Sequence, residues 1–310
     1  MHLVIGADEF LGRHVSRALA TEAPVIELNS DADDETLDDA IKSVDVVHHC
    51  ALGWSPARRL QYRKGPPQLL NRIVDAARRA GVRRIVHLST ADVYGHDHAA
   101  RINERTRLKP AHAFEKLKLA EDDWLLESAA DLEVVILRPA RVFGEGEDWI
   151  LPRLMQSIAR GRGRLWLPGG GRIAQTFVAA SDVGRACLAA ADRGRPGKAY
   201  LVGGFESSWR DLLESASRHA GIGADIISLP YDVAFIRALA TETATPRGAV
   251  VWPGVYSVDV IGRPHLYDDS HTRRELTWSP MVGSFEQAMP TMADWLATLG
   301  AAAVGSSRTI

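Results

Sequence analysis

Cysteine is nearly absent. The 310 residues hold two, Cys50 and Cys187, too few for a disulfide framework. Lysine is also scarce, six against thirty-one arginines, a bias that reads as the base composition of the coding sequence rather than as a function. No apolar run approaches the ~18 residues of a membrane-spanning helix. The start, MHLVIGADEFLG, has neither a cationic n-region nor a cleavage site, so a cytoplasmic protein with no membrane partner is expected. An excess of one charge is missing too: the net is −2, which gives no reason to expect nucleic acid or a membrane surface as a partner. No internal repeat or true linker is visible. What is abundant is apolar bulk, 46% of the chain, enough for a large core that is long for one domain and short for three.

The chain is organised around residues 84–121. Arg84–Leu88 is a short β-branched run that reads as a buried strand, with Ser89 and Thr90 at its end, where open α/β sheets place their chemistry. After a polar loop, 113–126 carries apolar residues at Leu117, Ala120, Trp124 and Leu125, a pattern that predicts a helix with one buried face. Phe114 and Lys118, four apart, share a face of it. Earlier, 3–5 predicts a first strand, Gly6 to Gly12 the turn into a helix, 24–28 a second strand, 34–42 a helix and 46–51 a third strand. A segment at 54–64 is irregular, and Pro66-Pro67 suit the start of a helix running to Ala80. Its arginines Arg78 and Arg79, with Arg83 and Arg84, are expected on a solvated face.

These motifs resemble the extended short-chain dehydrogenases/reductases, which include the sugar-nucleotide epimerases/dehydratases and many ketoreductases. The family has a Ser or Thr at a strand end, then V-Y-G, then a helix with Tyr-x-x-x-Lys. Here Thr90 precedes Val93-Tyr94-Gly95, and Lys118 falls on the lysine. Phe114 stands where the tyrosine should be. Further matches are Asp45 to Ala51, Arg138 to Gly144 (R-P-A-R-V-F-G), and Gln175 to Val183, in which Asp182 is expected to cap the following helix. The resemblance covers nearly the whole chain. It implies an α/β fold: a doubly wound, Rossmann-type parallel sheet over 1–144 with returning segments near 174–204, a smaller C-terminal substrate lobe over 145–299, and a disordered tail at 300–310. A homodimer pairing through the helices at 66–80 and 113–128 is also implied.

In that family the glycine turn binds a dinucleotide. Gly6 and Gly12 match its first and third glycines, and Glu9 occupies the middle one, adding bulk and like charge beside a pyrophosphate. The cofactor contacts implied are Gly6, Glu9, Phe10, Leu11, Gly12, Arg13, Asn29, Ala51, Lys118 and Pro139. Neutral Asn29 at the end of the second strand, with Arg13 to meet a 2′-phosphate, favours NADP over NAD. No metal is expected: His48, His49 and Cys50 alternate across a strand, and His96-Asp97-His98 reads as a solvated loop.

The resemblance implies hydride transfer to a carbonyl, with Thr90 and Lys118 positioning and Phe114 unable to donate a proton. The expected activity is an NAD(P)H-dependent ketoreductase acting on a small molecule, such as an aromatic polyketide, with the proton drawn from water or from the substrate. Tyr94 is a second source, although the V-Y-G tyrosine is usually structural. One alternative is a redox-neutral or ligand-binding member of the fold, suggested by Glu9, Asn29, Gly65 and Phe114. Another is a sugar-nucleotide epimerase or dehydratase, which would need the tyrosinate base that Phe114 cannot supply. Substrate specificity is expected from 232–259, which contains Trp252 and Tyr256.

Overall fold

The computed structural model describes residues 1–52, 68–96, 98, 100–129 and 131–306. The irregular segment expected at 54–64, and Pro66 and Pro67, lie outside the described residues. Eleven strands are described: β1 (His2–Ile5), β2 (Val25–Leu28), β3 (Val46–His49), β4 (Arg84–Leu88), β5 (Glu133–Pro139), β6 (Arg141–Phe143), β7 (Arg164–Pro168), β8 (Gln175–Ala179), β9 (Lys198–Val202), β10 (Phe205–Ser207) and β11 (Asp225–Leu229). Six form one parallel sheet in the order β2-β1-β3-β4-β5-β9. The winding reverses between β1 and β3, which opens a crevice at the C-terminal edge of the sheet. A three-stranded sheet, β10-β8-β6, and a β11-β7 pair lie outside it.

The helices α1 (Phe10–Leu19), α2 (Asp34–Ile41), α3 (Gln68–Ala80), α4 (Ala113–Ser128), α5 (Leu151–Arg160), α6 (Ala180–Arg193) and α7 (Trp209–His219) follow the sequence pattern to within a few residues, while α8 (Tyr231–Ala244) and α9 (Val255–Gly262) fall in the region expected only to set specificity. β3 and β4 are buried throughout, as sheet strands covered on both faces must be. One face packs Val15, Leu19, Val183 and Ala186 of α1 and α6. The other packs Leu70, Ile73, Val74 and Leu125 of α3 and α4. At Gly184 a Cβ would come within 2.5 Å of the His14 carbonyl oxygen, so only glycine permits this approach of α6 to α1. A second core, including Phe143, Leu154, Phe177, Trp209 and Phe285, lies apart from the six-stranded sheet.

Four expectations change. Arg84 is not solvated: it is buried, its guanidinium donating to the carbonyls of Ala190 and Ala191 and to Glu133 Oε2 at 2.7 Å. The inward face of α4 is charged, with Lys118, Glu121 and Asp122 buried while Leu117, Ala120 and Trp124 are only half-buried; ion pairing inside the sheet outweighs the apolar spacing. Asp182 lies inside α6 and instead accepts the amides of Met281 and Val282, both at 3.1 Å. The expected tail from Gly300 is helical through Ser306, where a run of alanines prolongs the last helix. Among the described residues no helix is long and apolar enough to cross a membrane.

Candidate active site

The turn after β1 keeps two close approaches that require glycine. Gly6 has φ +83°, and a Cβ there would stand 2.7 Å from the Ala51 amide nitrogen; at Gly12 it would stand 1.8 Å from the Gly6 carbonyl oxygen. The first-turn amides of α1 have no intrahelical acceptor and face the crevice end, an arrangement that suits a dinucleotide's pyrophosphate. Glu9 is the N-cap of α1 but makes no capping bond; its Oε2 accepts the Leu52 amide at 2.8 Å and so spans from the glycine turn to the end of β3.

Arg13 is held by two backbone carbonyls. Its guanidinium donates to the Asp8 carbonyl and, at 3.2 Å, to the Gly146 carbonyl, tying the turn to the loop after β6. Asn29 is exposed, and its neighbour Ser30 donates its amide to Asp8 Oδ1 at 3.2 Å. Arg13 and the residue after Asn29 thus both contact Asp8.

At the end of β4, Thr90 is the N-cap of a short 3₁₀ turn, its Oγ1 accepting the Asp92 amide at 3.2 Å, which leaves its own O–H to donate. Phe114 and Thr90 both line the crevice, and Lys118 does not. Lys118 is fully buried, its Nζ donating to Glu121 Oε2 at 2.8 Å and to the Leu88 carbonyl at 3.1 Å. Burial pushes the Glu121 carboxyl up against the opposing pull of Lys118. Tyr94 is also fully buried, its hydroxyl accepting from Arg138 Nη1 at 3.1 Å, so it has a structural place in the core. His48 and His49 point apart as expected, to His2 at 3.1 Å and to His87 at 2.8 Å. Burial holds His49 down to about 3, and it is neutral.

One cavity of about 360 Å³ runs from the glycine turn to Trp209 of α7 and Tyr256 and Val260 of α9. Glu9, Phe10, Leu11, Thr90, Phe114 and Pro139 of the expected site line it; Gly6, Gly12, Arg13, Asn29, Ala51 and Lys118 do not. Beyond Phe114 the wall is aromatic, with Trp149, Trp209 and Tyr256, and apolar, with Ile150 and Val260. Tyr256 of α9 stacks on Trp149 with ring centroids 5.0 Å apart and planes 14° apart. Its hydroxyl donates to Asp92 Oδ2 at 2.6 Å, and Arg141 Nη1 donates to the same oxygen at 2.7 Å. Burial pushes the Asp92 carboxyl up, but Arg141, with His96 and His265 behind it, holds it well below its ordinary range.

Behind Tyr256 lies a cluster the sequence did not announce. His96, expected in a solvated loop, is buried with one ring nitrogen against Glu115 and the other 2.7 Å from His265 Nε2. His112 Nε2 is 2.8 Å from Asp259 Oδ2, and Asp259 also accepts from Tyr231 and Arg263. His96, His112 and Glu115 bring ligand-type atoms within 4.8 Å of one another. Here His96 is satisfied by Glu115 and His112 by Asp259, so the cluster holds itself by hydrogen bonds. His265 lies 169 residues from His96 and Asp259 147 from His112, so no local spacing announces these pairs, while Glu115 is 19 residues from His96 across a loop.

The parallel sheet with its switch point, the glycine turn and the hydroxyl at the tip of β4 define an extended short-chain dehydrogenase/reductase. A family model described as the NAD dependent epimerase/dehydratase family matches residues 2–203, and the chain belongs to that family. It is 30% identical over 224 residues to the uncharacterized protein y4nG of Sinorhizobium fredii, aligning 71% of this chain but spanning only 54% of that relative's length. It is 26% identical to 4-hydroxy-2-methyl-3-oxo-4-farnesyl-3,4-dihydroquinoline-1-oxide ketoreductase of Stigmatella aurantiaca, over 80% of this chain and 76% of that one. The fold is shared with UDP-glucose 4-epimerase of Thermotoga maritima, at TM-score 0.71 and 18% identity, over 96% and 98% of the two chains.

Proposed function

We propose that the chain is an NAD(P)H-dependent ketoreductase acting on a bulky, largely apolar small molecule. The observation that carries this reading is the cavity wall: Phe114, Trp149, Trp209, Tyr256, Ile150 and Val260 adjoin Thr90 at the strand tip. Such a wall suits a neutral aromatic or long-chain ketone, because burying apolar surface contributes roughly 25 cal/mol per Å². The Stigmatella relative, named for a farnesylated oxo compound, supports the same substrate class.

A bound reduced dinucleotide would supply the hydride. The turn at Gly6 and Gly12 and the α1 amides would hold its pyrophosphate, with Phe10, Leu11 and Pro139 against it. Thr90 would donate its hydroxyl to the substrate carbonyl oxygen. A substrate packed against the aromatic wall would displace water from that hydrogen bond and so strengthen it. Phe114 leaves the proton to come from another group.

A sugar-nucleotide substrate fits less well. Among the described residues the cation lining the cavity is Arg141, already paired with Asp92, while Asp8, Glu9, Glu147 and Asp148 are acids that would face a diphosphate. The second reading, a cofactor-free role, is favoured by one observation, the Glu9 carboxylate reaching across to Leu52. Loss of reduced-nicotinamide absorbance with a panel of aryl and long-chain alkyl ketones tests the proposal. Consumption with ketones and none with nucleotide sugars is expected; turnover of a nucleotide sugar alone contradicts it.

A further inference from the structure

With Phe114 at the family's tyrosine position, a phenol is missing from one side of the cavity, but a different phenol enters from the other lobe. The Tyr256 ring centroid is 6.0 Å from that of Phe114, and both side chains line the space beside Thr90. Tyr256 is held on three sides: Trp149 stacks on its ring, His112 lies 5.1 Å from it, and its hydroxyl is fixed on Asp92, two residues after Thr90. Arg141 in turn fixes Asp92. Tyr256 so placed borders the cavity beside Thr90, whereas Tyr94 lines no part of it.

We propose that Tyr256 donates the proton in ketone reduction, with Asp92 and Arg141 as positioning residues; this rests on the ketoreductase reading. In the step, the hydride pair forms the new C–H bond at the carbonyl carbon and the C=O π pair moves to oxygen. That oxygen takes the Tyr256 proton, giving the alcohol and a phenolate. The phenolate regains a proton from water once the product has left. Turning the phenol proton from Asp92 to the substrate gives up one charge-assisted hydrogen bond and gains one to an oxygen that is acquiring charge.

Burial, then the Asp92 carboxylate, push the phenol well above its ordinary value, so Tyr256 carries its proton when a ketone arrives.

The test uses Tyr256→Phe in the full chain with a ketone that the wild type reduces. Turnover is expected to fall about 10² to 10⁴-fold, the usual worth of a positioned acid, with the dinucleotide-induced thermal shift unchanged. Affinity of the dinucleotide-free protein for the product alcohol is expected to fall up to about tenfold, the worth of one hydrogen bond, and affinity for the deoxy analogue to stay constant. Tyr256→Phe combined with Phe114→Tyr is expected to recover at least about tenfold, because the two rings face one space. Turnover by Tyr256→Phe within about threefold of wild type overturns the proposal while leaving the ketoreductase reading standing. A wild type that binds dinucleotide and reduces no ketone overturns both.

Discussion

Lys118 Nζ lies 2.8 Å from Glu121 Oε2, one turn further along α4, and both side chains are buried. The ammonium that the family resemblance assigns to a nicotinamide ribose is thus held by its own helix and by the Leu88 carbonyl. Lys118→Met leaves a buried carboxylate unpaired and is expected to cost about 3–5 kcal/mol. Lys118→Met with Glu121→Leu is expected to recover most of it, because an apolar pair replaces the ion pair. Urea unfolding midpoints measure this. A Lys118→Met variant as stable as wild type that has lost only dinucleotide binding would assign the ammonium to the cofactor.

The His112–Asp259 pair makes stability depend on pH in a defined window. Burial pulls His112 down, but the Asp259 hydrogen bond and the nearby Glu115 leave it above its ordinary 6.5. That contribution is fully present below 6.5 and is lost as pH climbs through the folded value. Burial pushes Asp259 up, but His112 and Tyr231 hold it below its ordinary 3.8, so its contribution is present above 3.8 and is lost as pH falls further. The stability gap between wild type and Asp259→Asn is therefore expected to be widest near pH ~5–6 and to narrow by pH ~9. Thermal denaturation across pH measures it; a constant gap contradicts the pairing.

Gly6→Ala forces a left-handed backbone on alanine and drives its Cβ to 2.7 Å from Ala51. The expected loss is about 2 kcal/mol or more, from conformation and close contact together. Dinucleotide binding should weaken with it. Retention of both by Gly6→Ala would mean that the turn and β3 can move apart.

Arg13 bridges the glycine turn to the Gly146 carbonyl. Arg13→Ala is therefore expected to weaken NADH and NADPH binding equally, by loosening the turn. Titration of both cofactors checks this. A loss of NADPH affinity alone, on the order of tenfold as one charge-assisted contact would give, contradicts it.

What the sequence made legible was local. The glycine turn, Thr90 at a strand end and the order of strands and helices announce themselves through short spacings and period. Tyr256 shows in the sequence only as part of a region expected to set specificity, because its partner Asp92 lies 164 residues away and no spacing connects them. Arg84 was misplaced because its acceptors, the carbonyls of Ala190 and Ala191, come from the far end of α6. The inward face of α4 was misread because periodicity counts apolar residues, while Lys118, Glu121 and Asp122 go inside by pairing with one another and with Arg138. His96 was assigned to water for the same reason: Glu115 and His265 are invisible from its own loop.

The claim beneath all of this is that a nicotinamide dinucleotide docks along the glycine turn despite Glu9. Thermal denaturation of the wild-type chain with increasing NADH and NADPH tests it most directly. At 100 times the dissociation constant, about 2.7 kcal/mol of added stability is expected, with Glu9→Gly enlarging the response at any given concentration. An unchanged transition with both cofactors, in wild type and in Glu9→Gly alike, would contradict it.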